Sequence, residues 1–285
     1  MHVPQLRLSR RSITVAAALA GMASLAIGAH AALNKRALDV AKAIATEQDS
    51  VVTSHASRFA LVIGNSHYPD ASAPLTQPIN DARALTAALR RDGFEVDVVE
   101  DASRDDMTRA VARLKSRIRP NSTVMLFFGG YGVQAGRESY MIPVDAAIWR
   151  EVDVRRQGVS IESVLDLMKE QGARAKLVVI DASRRNPYER RFRAFSHGLA
   201  PISAPDNALI LSSAAPGQVA DDSRGRDSVL MTELLNNLSG KTGIEAAFNN
   251  TRAAIARSSE GEQVPSVSSS LLEDVNFGAS ENAGG

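Results

Sequence analysis

The sequence predicts an α/β protein: a three-layer sandwich with a mostly parallel six-stranded sheet and helices on both faces. Three observations predict it. Short apolar runs such as ALVIG, VMLFF and LVVI recur along the chain. They alternate with longer segments whose leucines and alanines return at helical spacing. Several of the runs stop abruptly at Gly, Asn or Asp. Strand and helix in alternation build crossover units with parallel strands, and strands apolar throughout are covered on both faces.

Each element follows from its own stretch. RFALVIGN (residues 58–65) is too short for a helix and closes on Gly-Asn, so it is the first strand. NDARALTAALRRDG (80–93) is a helix that Gly93 ends. FEVDVVED (94–101) alternates with period two and is the second strand. Ser103 caps a helix running to residue 117, and Asp106, three residues on, supplies a capping-box-like partner. STVMLFFGG (122–130) is the third strand, and Ser160 starts a helix over 160–171. KLVVIDA (176–182) and NALILSSA (207–214) are the fourth and fifth strands. Helices over 228–238 and 243–256 follow, and EDVNF (273–277) is predicted as the last strand.

Composition bounds the function. A chain of 285 residues, 44% hydrophobic and 23% charged, holds one domain with a sizeable core and a leader. A net charge of +1 offers no basic surface for a polyanion, so nucleic acid is not expected as a partner. The chain has no cysteine, which excludes disulfides, thiolate metal sites and thiol catalysis.

Residues 1–31 read as a signal peptide. Arg7, Arg10 and Arg11 precede an apolar run, and Ala29-His30-Ala31 is a small-residue cleavage site. SRRSITV (9–15) is like a twin-arginine export signal. Without the leader, Lys+Arg falls from 33 to 30 against 32 acidic residues, a mildly acidic −2. The expected location is periplasmic or secreted, and the alternative is an inner-membrane anchor formed by an uncleaved leader. Residues 32–57 read as a helical connector, 58–277 as the folded domain and 278–285 as a disordered tail.

In an open parallel sheet, ligands bind beyond the carboxyl ends of the strands. That rule selects Gly64-Asn65, Gly129-Gly130-Tyr131 and Asp181-Ala182-Ser183, where apolar runs give way to small and polar residues.

Six stretches carry a family resemblance: ALVIGNSHY (60–68), QPINDARAL (77–85), LFFGGYGVQ (126–134), YMIPVDA (140–146), VVIDASRRNP (178–187) and LILSSAAPGQVADD (209–222). In this order and spacing the chain resembles the caspase-like domain of the bacterial metacaspase, or orthocaspase, type (peptidase family C14). The resemblance covers about 58–277 and implies a caspase-like fold. In active members a Gly-His-Gly motif supplies a histidine and Asp-Ala-Cys-Arg supplies the thiol. Those places hold Tyr131 and Ser183 here, 52 positions apart, against roughly 50 in caspases.

The substitutions change the chemistry. A serine hydroxyl needs a general base, and tyrosine, with a pKa near 10, is a neutral phenol at neutral pH. Replacing both members of the dyad removes nucleophile and base together, and a structural Tyr131–Ser183 hydrogen bond is the favoured expectation. His67, on the same sheet edge, is a weaker candidate base for Ser183. His197 lies in a basic loop and His55 precedes the domain.

The resemblance also implies a pocket for an Arg or Lys side chain lined by Asp81 and Asp181. Left to the residues alone, Asp81 is equally a cap of its own helix and Asp181 an acceptor at a strand end. Asp153 and the Asp221-Asp222 pair form no compact acidic loop of the kind calcium needs, so no metal and no cofactor are expected. The stretch from Arg184 to Arg193 reads as a solvated basic loop.

Three functions stay open. The first is an inactive pseudo-peptidase with a binding or regulatory role toward basic peptides. The second is a weakly active Arg/Lys-directed endopeptidase using Ser183. The third is an assembly partner of an active caspase-like or envelope protein.

Overall fold

In chain order the elements are β1 (Arg58–Gly64), α1 (Pro78–Arg91), β2 (Glu95–Glu100), α2 (Arg104–Arg117), β3 (Thr123–Gly129), β4 (Gly132–Ala135), β5 (Glu138–Met141), α3 (Glu151–Gln157), β6 (Val159–Ser160), α4 (Ile161–Glu170), β7 (Ala175–Asp181), β8 (Ala208–Ser212), α5 (Val229–Leu238), α6 (Ile244–Ser258) and β9 (Ser266–Ser269). They come from a computed structural model that describes residues 57–69, 75–184, 198–220, 225–238, 242–273 and 275–277. The leader, connector and tail, His55, His197, Asp221, Asp222 and the arginines after Arg184 up to Arg193 lie outside these.

The main sheet has the order β2-β1-β3-β7-β8-β9. All neighbours are parallel except β8 and β9, which are antiparallel. Period-two alternation sends successive side chains to opposite faces. Leu61, Ile63, Leu126, Phe128, Val178 and Ile180 pack under α2 and α4, with Met107 and Leu165 facing them. Val62, Met125, Phe127, Leu177 and Val179 pack on the other face under α1, α5 and α6, with Leu85, Leu234 and Phe248 facing them. Every residue of β3 and β7 is buried, as a strand covered on both faces must be. Each fully buried Leu, Ile or Phe contributes about 1.5–3 kcal/mol.

The helix ends obey local chemistry. Gly93 takes φ +77°. The amides of Gly93 and Phe94 bond back to Arg90 O at 3.2 Å and Leu89 O at 3.0 Å, the paired bonds of a Schellman stop. At α2 the capping box forms: Asp106 N–H donates to Ser103 Oγ and Ser103 N–H to Asp106 Oδ2, each at 3.2 Å.

The sequence reading is corrected in two places. The sixth strand is β9, not EDVNF. Among the described residues of that segment only Asn276 makes a bridge, with Gly243. Its apolar residues serve as packing: Val275 and Phe277 are buried, and Phe277 stacks on Phe94 at 5.4 Å. β9 reads SVSS, polar because an edge strand is only partly covered. The second correction is an addition, a small antiparallel sheet β4-β5-β6 and the short helix α3. Among the described residues no helix is long and apolar enough to cross a membrane.

Candidate functional site at the carboxyl ends of the central strands

Parallel register places Gly64, Gly129 and Asp181 side by side at the ends of β1, β3 and β7. The chain stays stitched beyond the sheet. Asn65 N–H donates to Gly129 O at 2.8 Å, Gly130 N–H to Asp181 O at 3.2 Å and Gly132 N–H to Ala182 O at 3.1 Å. Asn65, Tyr131 and Ser183 are thereby brought to one edge, as the strand-end rule predicts.

The first turn of α1 lies directly over the end of β1. A Cβ on Gly64 would stand 2.4 Å from Pro78 O and 2.9 Å from the Ala82 side chain, so only glycine permits the approach. Pro78 at the first helical position is pre-set for it. This approach carries Asp81 into the interior, where it is fully buried. It does not cap its own helix. Its Oδ1 accepts the Ser228 amide at 2.8 Å, just before α5, while Oδ2 accepts no hydrogen bond. Burial, and then the nearby Asp181 charge, push the Asp81 carboxyl up to about 7 against the opposing Ser228 bonds.

Asp181 is also buried. Its Oδ2 accepts no hydrogen bond but lies 3.6 Å from Nη2 of Arg184, and both side chains are almost wholly enclosed. Arg184 is only 4% exposed, which corrects its placement in a solvated loop. Its amide folds back onto Ala182 O at 2.9 Å. Between the two, Ser183 is 1% exposed. Its carbonyl accepts the Ala220 amide at 2.6 Å, and its Oγ has no hydrogen-bond partner.

Tyr131 is half-buried beside this group. Its amide donates to the Tyr68 hydroxyl at 3.1 Å, its carbonyl accepts Ile142 N–H at 3.0 Å, and its ring meets that of Tyr68 edge-on at 4.8 Å. Tyr68 in turn donates to Ile142 O at 2.9 Å. The expected Tyr131–Ser183 hydrogen bond is not formed, because Ser183 Oγ is bonded to nothing.

His67 does not serve Ser183 either. Its Nδ1 lies 2.6 Å from Asp101 Oδ2, and its side chain is 72% exposed. Burial raises the Asp101 carboxyl, but the amides of His67 and Ser66 and the imidazole outweigh it and hold Asp101 below its ordinary range. Asp153 accepts the amides of Trp149 and Arg150 and pairs with Arg156. It is a helix cap, distant in role from any ion site.

The sequence reading missed Arg184, Ser228 and Tyr68 as parts of this edge. Arg184 was hidden by its basic neighbours. Ser228 and Tyr68 act through single contacts far apart in sequence, which no local pattern announces.

A mostly parallel six-stranded sheet between helices, with the candidate site where β1, β3 and β7 end, is consistent with a caspase-like fold. The Caspase domain family (peptidase C14) matches residues 57–276. The chain belongs to that family. It is also 28% identical over 134 residues to the human mucosa-associated lymphoid tissue lymphoma translocation protein 1, covering 46% of this chain and 16% of that protein. The mouse homolog is 29% identical over the same length and the same shares. The chain thus spans about a sixth of the curated relatives it matches.

Proposed function

We propose that this protein is a caspase-domain member without peptidase chemistry that acts by binding a basic side chain, an Arg or Lys of a peptide or protein, at Asp81 and Asp181. The observation that carries the first half is Ser183 Oγ, buried and with no hydrogen-bond partner. A serine attacks a carbonyl only if a base within hydrogen-bond reach takes its proton, and among the described residues none bonds to Ser183 Oγ. The position the family resemblance gives to histidine holds Tyr131, tied by its backbone to Tyr68 and Ile142. The second half is supported by two buried carboxylates, each with one oxygen that accepts no hydrogen bond, a donor-hungry arrangement suited to a guanidinium or ammonium.

The test is turnover of fluorogenic peptides with Arg or Lys before the reporter group, at micromolar protein. Wild type and Ser183→Ala are expected to be equally inert. Turnover that Ser183→Ala abolishes would overturn the reading. The signal-like pattern of residues 1–31 supports export as part of this reading. Mass spectrometry of protein from cell fractions should then find a chain beginning at Ala32 in the periplasm or medium, and an intact cytoplasmic chain would refute that part.

A further inference from the structure

We propose that the edge of the main sheet opposite the candidate site, at the amino ends of β3, β7 and β8, docks on an anionic lipid bilayer through Lys115, Arg117, Arg119 and Leu272. The inference is independent of the Asp81–Asp181 reading. The overall charge of +1 conceals a local excess. Between Met107 and Arg137 the chain has no acidic residue, and RLKSRIR (113–119) holds four bases in seven positions. Arg113 pairs with Asp97, whereas among the described residues Lys115, Arg117 and Arg119 form no ion pair. The helix macrodipole favours bases in the last turn of α2. Arg119 lies beyond that turn, and the dipole has no bearing on Leu272, which is 84% exposed.

Hydrogen bonds join these residues into one edge. Asn121 N–H donates to Gly172 O at 3.2 Å and Arg174 N–H to Ser122 O at 2.8 Å, tying the turn after α2 to the turn before β7. Arg174 reaches Glu273, the neighbour of Leu272, at 3.7 Å. Leu272 N–H donates to Asn207 Oδ1 at 3.0 Å, and Asn207 O accepts Lys176 N–H at 2.9 Å. Of the acids here, Asp206 and Glu273 are held by Lys169 and Arg174, and Glu170 at the end of α4 is outnumbered by the unpaired bases. Under the other face Arg58, Arg90 and Arg91 balance Asp92, Glu95 and Glu245. The chain also enters the domain here: Ser57 O accepts Thr123 N–H at 2.9 Å, so the apolar run of residues 13–28 leads to this edge and not to the opposite one. Unpaired bases around an exposed leucine complement anionic headgroups above acyl chains. A nucleic acid would answer the bases but not Leu272.

The chain has no cysteine, so Ser116→Cys, exposed between Lys115 and Arg117, gives the full chain a single site for a nitrobenzoxadiazole label. The label's emission is expected to rise and shift to the blue with vesicles of phosphatidylglycerol and phosphatidylcholine, but not with phosphatidylcholine alone. Added salt, which screens such attraction, should reverse the change. Lys115→Glu/Arg117→Glu in the labelled chain is expected to need about tenfold more lipid for half the response. Trp149, the chain's one tryptophan, leads into α3, which Arg104 holds at the far end of α2 through Arg156 O at 3.0 Å. Its emission in the unlabelled protein should not change. An unchanged affinity in the charge-reversed variant, an equal response to phosphatidylcholine alone, or a Trp149 shift with a silent label would overturn the proposal. Equally tight binding of duplex DNA would assign the bases to polyanions in general and overturn it too. Should the charge-reversed variant not fold, Leu272→Asp at its exposed position is expected to weaken the response by a smaller factor, and an unchanged response would overturn the proposal.

Discussion

Replacing Asp81 by Asn should make the protein more stable at high pH and change the pH dependence of its unfolding. Below pH 3.8, its ordinary value, the Asp81 carboxyl is protonated in both the folded and the unfolded chain. Between 3.8 and about 7 the folded protein keeps a proton that the unfolded chain has released. Unfolding free energy therefore falls as pH rises through this window, by about 1.36 kcal/mol per unit, and levels off above it. The full interval corresponds to a loss on the order of 4 kcal/mol at pH 8 relative to pH 3. Asn carries no proton to lose, and its Oδ1 can still accept the Ser228 amide that Asp81 accepts at 2.8 Å. Burying the extra amide adds an offset that does not vary with pH. Urea denaturation of wild type and Asp81→Asn at several values from pH 4 to 8 isolates the effect as the change in their difference. That difference should move in favour of the variant by several kcal/mol, most of it between pH 4 and 7. A difference that stays constant would show that folding leaves the Asp81 carboxyl unshifted, and one that moves toward wild type at high pH would show that Asp81 is stabilised as an anion; either would refute the reasoning.

Three further outcomes follow from the same contacts. Asp181→Asn removes the carboxylate charge beside the buried Arg184 guanidinium and should cost about 3–5 kcal/mol; adding Arg184→Gln should recover part of that in a urea-melt double-mutant cycle, and additive losses would contradict the pairing. Ser183→Ala removes a buried hydroxyl that bonds to nothing, so it should be neutral or stabilising by about 1 kcal/mol, and a loss above that would point to a partner for Ser183 Oγ. Tyr68→Phe strands the Tyr131 amide and leaves the Ile142 carbonyl with only its bond from Asn65 Nδ2 at 3.2 Å, and should cost about 1–3 kcal/mol in thermal or urea unfolding; an unchanged midpoint would show that the Tyr68 hydroxyl does not hold this edge.

The parallel core was legible because burial on both faces writes itself into sequence. β1, β3 and β7 carry unbroken apolar runs through their middles, and the Gly93 stop and the Ser103–Asp106 box follow from backbone bonding needs that a few residue types meet. What failed did so for a physical reason. β9 is polar, and Val275 and Phe277 are apolar without being in a strand, so hydrophobicity pointed to the wrong segment. The β4–β5 hairpin did leave a signal, in that Gly136 sits between two short alternating runs and takes φ +66°, as tight hairpin turns favour. Within the site, the strand-end rule found Asn65, Tyr131 and Ser183. It could not show that Asp81 reaches across to Ser228, 147 positions away, or that Arg184 turns inward while following the same strand as Ser183.

The buried charges bear on whether this edge exists for folding alone. An ion pair in a protein interior is often no more stabilising than apolar residues of the same volume, and Asp81 is worse placed than a paired charge. One of its oxygens is unbonded, and at neutral pH its ionisation competes with burial. Asparagine at that position could satisfy the Ser228 amide without the pH-dependent loss. Three polar groups with unmet bonding capacity thus lie near these strand ends, Asp181 and Ser183 at the end of β7 and Asp81 in the first turn of the helix that packs over the end of β1, while the surrounding core is packed and apolar. Conflict between local stability and residue choice is what a site under a second constraint looks like. Tyr131 and Ser183 stand where the family resemblance gives a histidine and a cysteine, and in the reading we propose the second constraint on the carboxylates is recognition of a cation.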